Sequence, residues 1–310
     1  MQAIIQYSKF IFLAVLTSSF FTQWYSYDID VIHLPTSSYF SDEGVTTTHS
    51  IWETLTNQFK LDTKSTSPQV QTEIKKLLAD KKHFNDVLKS AAPYLYYIHN
   101  QVVSRGLPAE LALIPIIESE YNPYDVSNKG ASGLWQFMKV TARELGIKIK
   151  SGYDGRRNVI ASTKAALAYF KDLGVFFGGN WYLAIAAYNC GQFTVKKAMH
   201  KSGSQSFWNL KLPIETKLYV PRLLAVAEIV KNPAKYGIEL PHIDDKPFFA
   251  EVNVNKPIKL NDISSQTGIN IDTLKSLNPD FTRGSAPDIS IKTVLIPAHS
   301  ITNFKNSLNT

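Results

Sequence analysis

Two carboxylates, Glu118 and Glu120, stand at the end of an apolar segment in which acidic residues are out of place. Residues two positions apart on a helix point in different directions, because only three- and four-residue steps share a face. The spacing therefore predicts that one carboxylate faces inward and the other faces solvent. It argues against a metal-binding pair or a carboxylate dyad. The alternative is a frayed helix end at which both side chains are solvated.

The residues that follow the carboxylates are typical of a groove that binds a polymer. Residues 128–137 read NKGASGLWQF, in which small residues let the backbone approach a partner closely, and Trp135 and Gln136 then offer a ring face and an amide. Tyr188 and Asn189 end another apolar segment, where each polar tip needs a partner. Sugar rings stack on aromatic side chains, and amides bond to hydroxyl and N-acetyl groups. A groove of this composition around one carboxylic acid suits a sugar polymer.

Helices are predicted to position these residues. Apolar residues recur at three- and four-residue steps from residue 70 to residue 98. Further helical segments are predicted within 104–120, 158–179, 180–191 and 213–233. Pro115 is expected to kink the first of these just before the carboxylates. No strand is predicted between residues 61 and 232, so this part of the chain is expected to be all α.

The sequence pattern changes after residue 233. Residues 249–254 alternate like a strand, two short helices follow, and residues 291–296 form a second candidate strand. This pattern predicts a small β-α-α-β module whose two strands pair with each other and need nothing from the helical domain. On that basis the module is expected to be dispensable for the chemistry. The predicted fold class is therefore mainly α, with a helical domain followed by this module.

The composition limits the classes of partner and cofactor. The 310 residues carry a net charge of +7 and 44% hydrophobic residues, which is typical of a globular chain that favours anionic partners. Basic residues occur in no run longer than a pair, and no zinc-finger or RNP-like string is present, so nucleic acid is not predicted as a partner. The seven histidines are scattered, and the single cysteine excludes an internal disulfide. We therefore expect no metal site and no cofactor. Nothing in the sequence indicates the oligomeric state.

The N-terminal segment has the pattern of an export signal. Residues 10–21, FIFLAVLTSSFF, form an apolar run behind Lys9 that is short for a membrane span and suits a signal-peptide core. Residues 1–26 are therefore predicted to be a signal peptide or an uncleaved N-terminal anchor, and the protein is expected in the periplasm or cell envelope. No cysteine follows the run, so a lipoprotein is not predicted. Residues 27–89 are interpreted as a partly helical lead-in.

In their order, these motifs resemble those of the lytic transglycosylases of the soluble-lytic-transglycosylase type, which are relatives of goose-type lysozyme in fold. The resemblance is carried by IPIIESEYNPYDVSNKGASGLWQF, YDGRRNVIASTKAALAYFKDL, NWYLAIAAYNCG and FWNLKLPIETKLYVPRLLA. It implies a lysozyme-like catalytic domain over residues 90–235. Residues 248–300 resemble a LysM module, but KLNDI replaces the usual Gly-Asp-Thr opening, so the module is interpreted as degenerate.

The family resemblance implies a role for each candidate residue. Glu118 would be the general acid that protonates the bond between N-acetylmuramic acid and N-acetylglucosamine in peptidoglycan glycan strands. It would then be the base that takes the proton of the C6 hydroxyl as a 1,6-anhydro sugar forms without water. One residue with both tasks requires a raised pKa, which burial provides. Ser119 and Tyr188 would position the acid or the acetamido group, and Gln136 and Asn189 would bind sugar.

Two alternatives to transglycosylation stay open at this point. Hydrolysis on the same fold needs a second carboxylate to hold water, for which Asp125 and Asp154 are the candidates. A non-catalytic wall-binding protein would keep the groove and lose the chemistry, although the intact Glu-Ser pair argues against it. Arg156 and Arg157 are interpreted as a structural clamp or as contacts to acidic peptide stems rather than as catalytic residues.

Overall fold

The computed structural model describes residues 49–253, 259–284, 293–302 and 304. The predicted signal peptide or anchor and the first part of the predicted lead-in lie outside these residues. Within the described part of the chain, no helix is both long enough and apolar enough to cross a membrane.

Helices make up most of the described chain, as predicted. The α-helices are Ile51–Thr56 (α1), Pro68–Ala79 (α2), Lys81–Ser90 (α3), Leu95–Val103 (α4), Ile114–Ser119 (α5), Lys139–Glu144 (α6), Val159–Phe176 (α7), Trp181–Cys190 (α8), Gln192–Ser202 (α9), Ile214–Lys231 (α10), Pro233–Tyr236 (α11), Leu260–Thr267 (α12) and Ile271–Leu277 (α13). Short 3-10 helices cover Ala109–Leu113, Phe207–Asn209 and Ala298–Ser300. The strands are Ile149–Lys150 (β1), Tyr153–Asp154 (β2), Phe249–Asn253 (β3) and Thr293–Pro297 (β4).

Helix α10 runs through the hydrophobic core of the helical domain. Its second half is apolar on nearly every face and is buried from Leu223 to Val230, which is the pattern of a helix surrounded by other elements. Helices α2 and α8 both pack against it. The described part of the predicted lead-in, residues 27–89, contributes Trp52, Ile74 and Leu88 to the same core. The N-terminal helices are therefore part of the body that carries the site.

The polypeptide around Pro115 differs from the predicted kinked helix. A 3-10 helix ends at Leu113, and α5 begins at Ile114, so Pro115 occupies the first turn of a new helix. A proline is tolerated there because its missing N–H would have no partner inside the helix. The change from one kinked helix to two shorter ones leaves Glu118 in the last turn of α5.

The prediction of no strand between residues 61 and 232 is wrong for one short hairpin. Ile149 pairs with Asp154, and Lys150 pairs with Tyr153, in an antiparallel ladder of two residues on each side. Gly152 makes the turn with a φ of +79°, a conformation that glycine adopts at little cost. A ladder of two residues is too short to show alternation in the sequence.

The C-terminal module has the predicted β-α-α-β order. Strands β3 and β4 pair antiparallel, with Phe249 opposite Pro297 and Asn253 opposite Thr293. Asn270 caps α13 by accepting the N–H groups of Asp272 and Thr273. The module buries a small core of its own between the two strands and its two helices.

The expectation that this module needs nothing from the helical domain is wrong. Phe249, Leu277 and Leu295 belong to the hydrophobic core of the helical domain, and the ring centroids of Phe249 and Tyr97 lie 5.4 Å apart. In return, Tyr153 packs into the core of the module. The two modules therefore share buried apolar surface.

Hydrogen bonds reinforce this contact at two places. At the first, the N–H of Asp154 donates to the carbonyl of Asp280 at 3.0 Å, and Nδ2 of Asn158 donates to the Asp280 carboxyl at 2.8 Å. At the second, the hydroxyl of Tyr124 donates to the carbonyl of Lys275 at 2.6 Å. The second place lies four residues after Glu120, and the first includes Asp154, which binds Arg156.

Candidate active site

Glu118 lies in the last turn of α5, half-buried in the wall of a cleft of about 600 Å³. Glu120 caps the same helix in a left-handed conformation, with a φ of +53°. Its side chain is exposed, and its Oε1 lies 3.0 Å from Nε2 of His83. The prediction that the two carboxylates face different ways is confirmed.

The environment of Glu118 raises its pKa into the neutral range. Burial raises the pKa of Glu118 to about 7, because the charged form loses its hydration. Two groups act in the opposite direction: the hydroxyl of Tyr219, which donates to Oε1 at 2.5 Å, and the nearby charge of Arg222. A carboxyl with this pKa can donate a proton and take one back near neutral pH.

Tyr219 is a site residue that the sequence analysis missed. It is buried on α10, which is separated from α5 by about a hundred residues of chain. The signal that could have found it is the one used for Tyr188, a tyrosine within an apolar helix whose hydroxyl needs a partner.

Ser119 is buried, and its hydroxyl faces the backbone. It donates to the carbonyl of Leu134 at 3.0 Å and approaches the carbonyl of Pro115 at 3.3 Å. These contacts join the end of α5 to the glycine-containing loop at residues 130–137. Ser119 is therefore placed to fix the position of the neighbouring Glu118 carboxyl.

The loop at residues 130–137 brings one of its two predicted site residues to the surface. Gln136 is half-buried, with a φ of +48°, and its Nε2 donates to the carbonyl of Gly133 at 2.9 Å. Trp135 does not offer a ring face as expected, because it is completely buried and its Nε1 donates to Oγ1 of Thr163 at 2.9 Å. Its role is to hold the loop in the core.

Tyr188 and Asn189 lie together at the end of α8. The hydroxyl of Tyr188 donates to the carbonyl of Trp135 at 2.8 Å, and its ring stacks on that of Phe170 with centroids 4.4 Å apart. Burial raises the pKa of Tyr188, and the charge of Glu118 adds to this effect, so the phenol stays protonated. Oδ1 of Asn189 accepts from the hydroxyl of Thr216 at 2.7 Å.

Arg156 acts as the structural clamp that the sequence suggested. Its buried guanidinium binds both carboxylate oxygens of Asp154, with Nη2 at 2.7 Å from Oδ2 and Nε at 3.0 Å from Oδ1. Its Nη1 donates to the carbonyls of Gly130 and Phe137, at 2.7 and 3.0 Å. One side chain thus ties the two ends of the loop together.

Gly133 is expected to be intolerant of substitution because this loop passes so close to Arg156. A Cβ at position 133 would lie 1.9 Å from the carbonyl oxygen of Arg156, and the φ is +83°. We expect Gly133→Ala to lower the free energy of unfolding by more than about 3 kcal/mol. Gly146→Ala is the matched control, since its φ of +78° is similar but no atom lies within 4 Å, and it should cost about 1–2 kcal/mol. Denaturant unfolding measures both, and equal losses would contradict the close approach.

The two carboxylates considered for hydrolysis occupy different surroundings. Asp125 lines the same cleft as Glu118. Asp154 is bound to Arg156; burial opposes its ionisation, but the hydrogen bonds and charge of Arg156 outweigh burial and lower its pKa. Asp154 is therefore engaged in the clamp. Among the described residues, no three His, Cys, Asp or Glu side chains are grouped as a metal site requires.

Comparisons with known proteins agree with this architecture. The Transglycosylase SLT domain model matches residues 96–211, and the model of the LysM-like domain of lytic transglycosylase MltD matches residues 248–310. Membrane-bound lytic murein transglycosylase D of Escherichia coli strain K12 is 35% identical over 262 residues, which is 83% of this chain and 58% of that protein. The same figures hold for the protein of that name in strain O6:H1. The chain therefore spans less than two thirds of the length of these relatives.

A solved structure of an inactive mutant of lytic transglycosylase Slt from Pseudomonas aeruginosa matches with a TM-score of 0.41 and 21% sequence identity. The match covers 63% of this chain and 35% of the Slt chain. The matched domains confirm the predicted order, a lysozyme-like catalytic domain followed by a LysM-like module. The chain therefore carries a Transglycosylase SLT domain, followed by a LysM-like domain of the MltD lytic transglycosylase type.

Proposed function

We propose that this protein is a peptidoglycan lytic transglycosylase that cleaves the β-1,4 bond between N-acetylmuramic acid and N-acetylglucosamine and leaves 1,6-anhydro ends. The observation that carries the proposal is Glu118, a half-buried carboxyl in an open cleft with its pKa raised to about 7. The substrate is suggested by the matched SLT domain and by the name of the relatives, which are murein transglycosylases.

In the proposed mechanism, Glu118 serves twice. It first donates its proton to the glycosidic oxygen, so that the bond to C1 of the muramic sugar breaks while the acetamido group of that sugar stabilises the developing cation. The ionised Glu118 then takes the proton of the C6 hydroxyl as that oxygen bonds to C1. Glu118 thus regains the proton that it donated, and no water is consumed. Most glycosidases use a second carboxylate at this point, and here the substrate supplies the group instead.

The neighbouring residues would orient the acid and the sugar. Tyr219 holds one oxygen of Glu118, and Tyr188 holds the loop at Trp135. Oδ1 of Asn189 accepts a hydrogen bond from Thr216, and within the described residues its Nδ2 has no acceptor. Nε2 of Gln136 donates to backbone carbonyls of the loop, and among the described residues no donor contacts its Oε1. One amide donor and one amide acceptor are thus left for the hydroxyl and N-acetyl groups of a sugar.

Hydrolysis is the second candidate reaction, because Asp125 shares the cleft with Glu118 and could hold a water. The decisive experiment is mass spectrometry of the products released from purified peptidoglycan. Transglycosylation gives anhydro ends that are lighter by one water than the reducing ends of hydrolysis. Reducing ends would replace the proposal by lysozyme-like hydrolysis, and no products would favour a wall-binding protein.

The site of action is also proposed from the family. The relatives are named membrane-bound, and the apolar N-terminal run suggests export. We propose that the protein acts on glycan strands in the periplasm or cell envelope. Cell fractionation with an antibody to the C-terminal module tests this, and a protein confined to the cytoplasm would contradict it.

Tyr219→Phe is expected to move the pH dependence of turnover. The hydrogen bond from Tyr219 favours the ionised form of Glu118, so its loss should raise the pKa of Glu118 further. The first step needs the protonated acid, and activity therefore falls as pH rises through this pKa. Because a hydrogen bond to a charged group is worth about 1.5–3 kcal/mol, the falling limb of kcat/KM should move to higher pH by about one to two units.

Tyr236→Phe is the matched control for this experiment. Its hydroxyl also donates to a glutamate, Oε1 of Glu228 at 3.0 Å, but Glu228, unlike Glu118, is not among the cleft residues. The control should leave the pH profile unchanged. A falling limb that stays in place in Tyr219→Phe, or that moves equally in both variants, would contradict the assigned role of Tyr219.

A further inference from the structure

Arg222 lies in the wall of the same cleft as Glu118 and takes no part in the mechanism above. It is three residues beyond Tyr219 on α10, so the two side chains lie on the same face of the helix. Its charge reaches Glu118 and lowers the pKa of that carboxyl. Arg222 is therefore close to the reacting centre.

A buried carboxylate holds Arg222 in place. Glu73, on α2, is 2% exposed and accepts from Nε of Arg222 at 3.3 Å and from Nζ of Lys76 at 2.7 Å. Burying a carboxylate is costly unless charged donors satisfy it. Two cations do so here, and both line the cleft. The three side chains together carry one net positive charge at the cleft wall.

The outer edge of the Arg222 guanidinium is left for a ligand. Glu73 engages only Nε, and in the described chain Nη1 and Nη2 have no acceptor within hydrogen-bond distance. The side chain is 37% exposed. A planar pair of N–H donors matches the two oxygens of a carboxylate and binds it more strongly than neutral donors bind.

The acidic residues of the cleft do not all compete for this edge. Asp80 accepts from the N–H of His83, and Glu120 pairs with the ring of His83. Asp125 lines the cleft with no side-chain partner in the described residues, and all three acids keep a negative charge that opposes an anionic ligand. A carboxylate would therefore bind through the paired, directed N–H donors of Arg222 beside Lys76, and not through an overall positive cleft.

We propose that Arg222, supported by Lys76 and positioned by Glu73, binds a carboxylate carried by the muramic sugar of the substrate. The proposal rests on the proposed function and specifies which glycan the site prefers. Two sources share this chemistry. A glycan strand without peptides has a free lactyl carboxylate on each muramic sugar. A strand with peptide stems has that carboxyl in an amide and carries carboxylates on the peptide instead.

Binding measurements on the inactive Glu118→Gln chain test the proposal without cleavage. The three probes are a muropeptide tetrasaccharide with stems, the same tetrasaccharide without stems, and the tetramer of N-acetylglucosamine, which has no carboxylate. Adding Arg222→Gln should weaken binding of at least one carboxylate-bearing probe by about 10- to 100-fold and leave the N-acetylglucosamine tetramer unchanged. The probe that is affected identifies the source of the carboxylate.

Arg222→Lys and Lys164→Gln complete the experiment. Arg222→Lys keeps the charge opposite Glu73 and the fold but removes the paired donors, so its binding loss should be intermediate. Lys164, exposed on α7 and not a cleft residue, should have no effect when replaced by glutamine. Equal weakening of all three probes by Arg222→Gln, or no weakening of any, would overturn the carboxylate site. These outcomes are independent of the products formed by the wild-type chain, so failure of the proposed reaction would be seen separately.

Discussion

Replacing Glu118 by glutamine is expected to abolish most turnover while the chain stays folded. The loss of a general acid typically lowers a rate by about 10²–10⁴-fold, and here the same residue also acts as the base. The amide is nearly isosteric with the acid, and its oxygen can still accept the hydrogen bond that Tyr219 donates to Oε1. Release of soluble muropeptides from purified peptidoglycan measures the effect, and thermal unfolding monitors the fold.

Glu120→Gln is the matched control, because the two glutamates are neighbours on one helix end with opposite surroundings. Glu120 is exposed and its partner is His83 on the surface; surface ion pairs contribute about 0–1 kcal/mol. Turnover should therefore change little. Comparable loss in both variants would contradict the assignment of one inward carboxylate, and wild-type turnover in Glu118→Gln would remove Glu118 from the mechanism.

The local features of this site could be predicted because they depend on short spacings. The opposite orientation of Glu118 and Glu120 follows from helix geometry alone. The close backbone approach expected of the glycine-containing loop is found at Gly133, although its partner is the carbonyl of Arg156. The β-α-α-β order of the module follows from alternation and caps that lie within a few residues of each other.

The features that were missed depend on contacts between distant parts of the chain. Tyr219 reaches Glu118 across 101 residues, and Arg222 reaches Glu73 across 149. A sequence pattern gives no sign of which buried polar groups meet. The same limit explains Trp135, which is buried and donates to Thr163 in α7. Composition alone suggested that the Trp135 ring faces a sugar, whereas in the structure this ring packs in the core.

Removing the LysM-like module is expected to lower both stability and turnover. The sequence had suggested instead that the helical domain works without the module. The module holds both loops that frame Glu118. Tyr124, four residues after Glu120, donates to Lys275 of the module. On the other side, Asp280 binds the N–H of Asp154 and the side chain of Asn158, and Asp154 in turn holds the Arg156 clamp on the loop at residues 130–137.

A chain that ends at Lys246 removes the module and keeps the segment that covers α1. That segment must stay, since Ile243 accepts from the N–H of Ile51 and Pro241 accepts from Nε1 of Trp52. The truncation loses the buried Phe249, Leu277 and Leu295, each worth about 1.5–3 kcal/mol. The free energy of unfolding should therefore fall by several kcal/mol.

We expect the turnover of this shortened chain to fall as well, and for a reason other than unfolding. Without the module, the hydroxyl of Tyr124 and the backbone N–H of Asp154 lose their acceptors, and the two loops around Glu118 are held less firmly. A misplacement of about 1 Å at a reacting centre can cost about 10²-fold. The assay uses a short soluble glycan well below the melting temperature of the truncated chain, so that poor binding to whole peptidoglycan and global unfolding do not contribute. Tyr124→Phe in the full chain removes one of these contacts and keeps the ring, so it should lower kcat by a smaller factor with little change in melting. Normal turnover in the truncated chain would show that the helical domain holds Glu118 without help, and that the docked module serves stability alone.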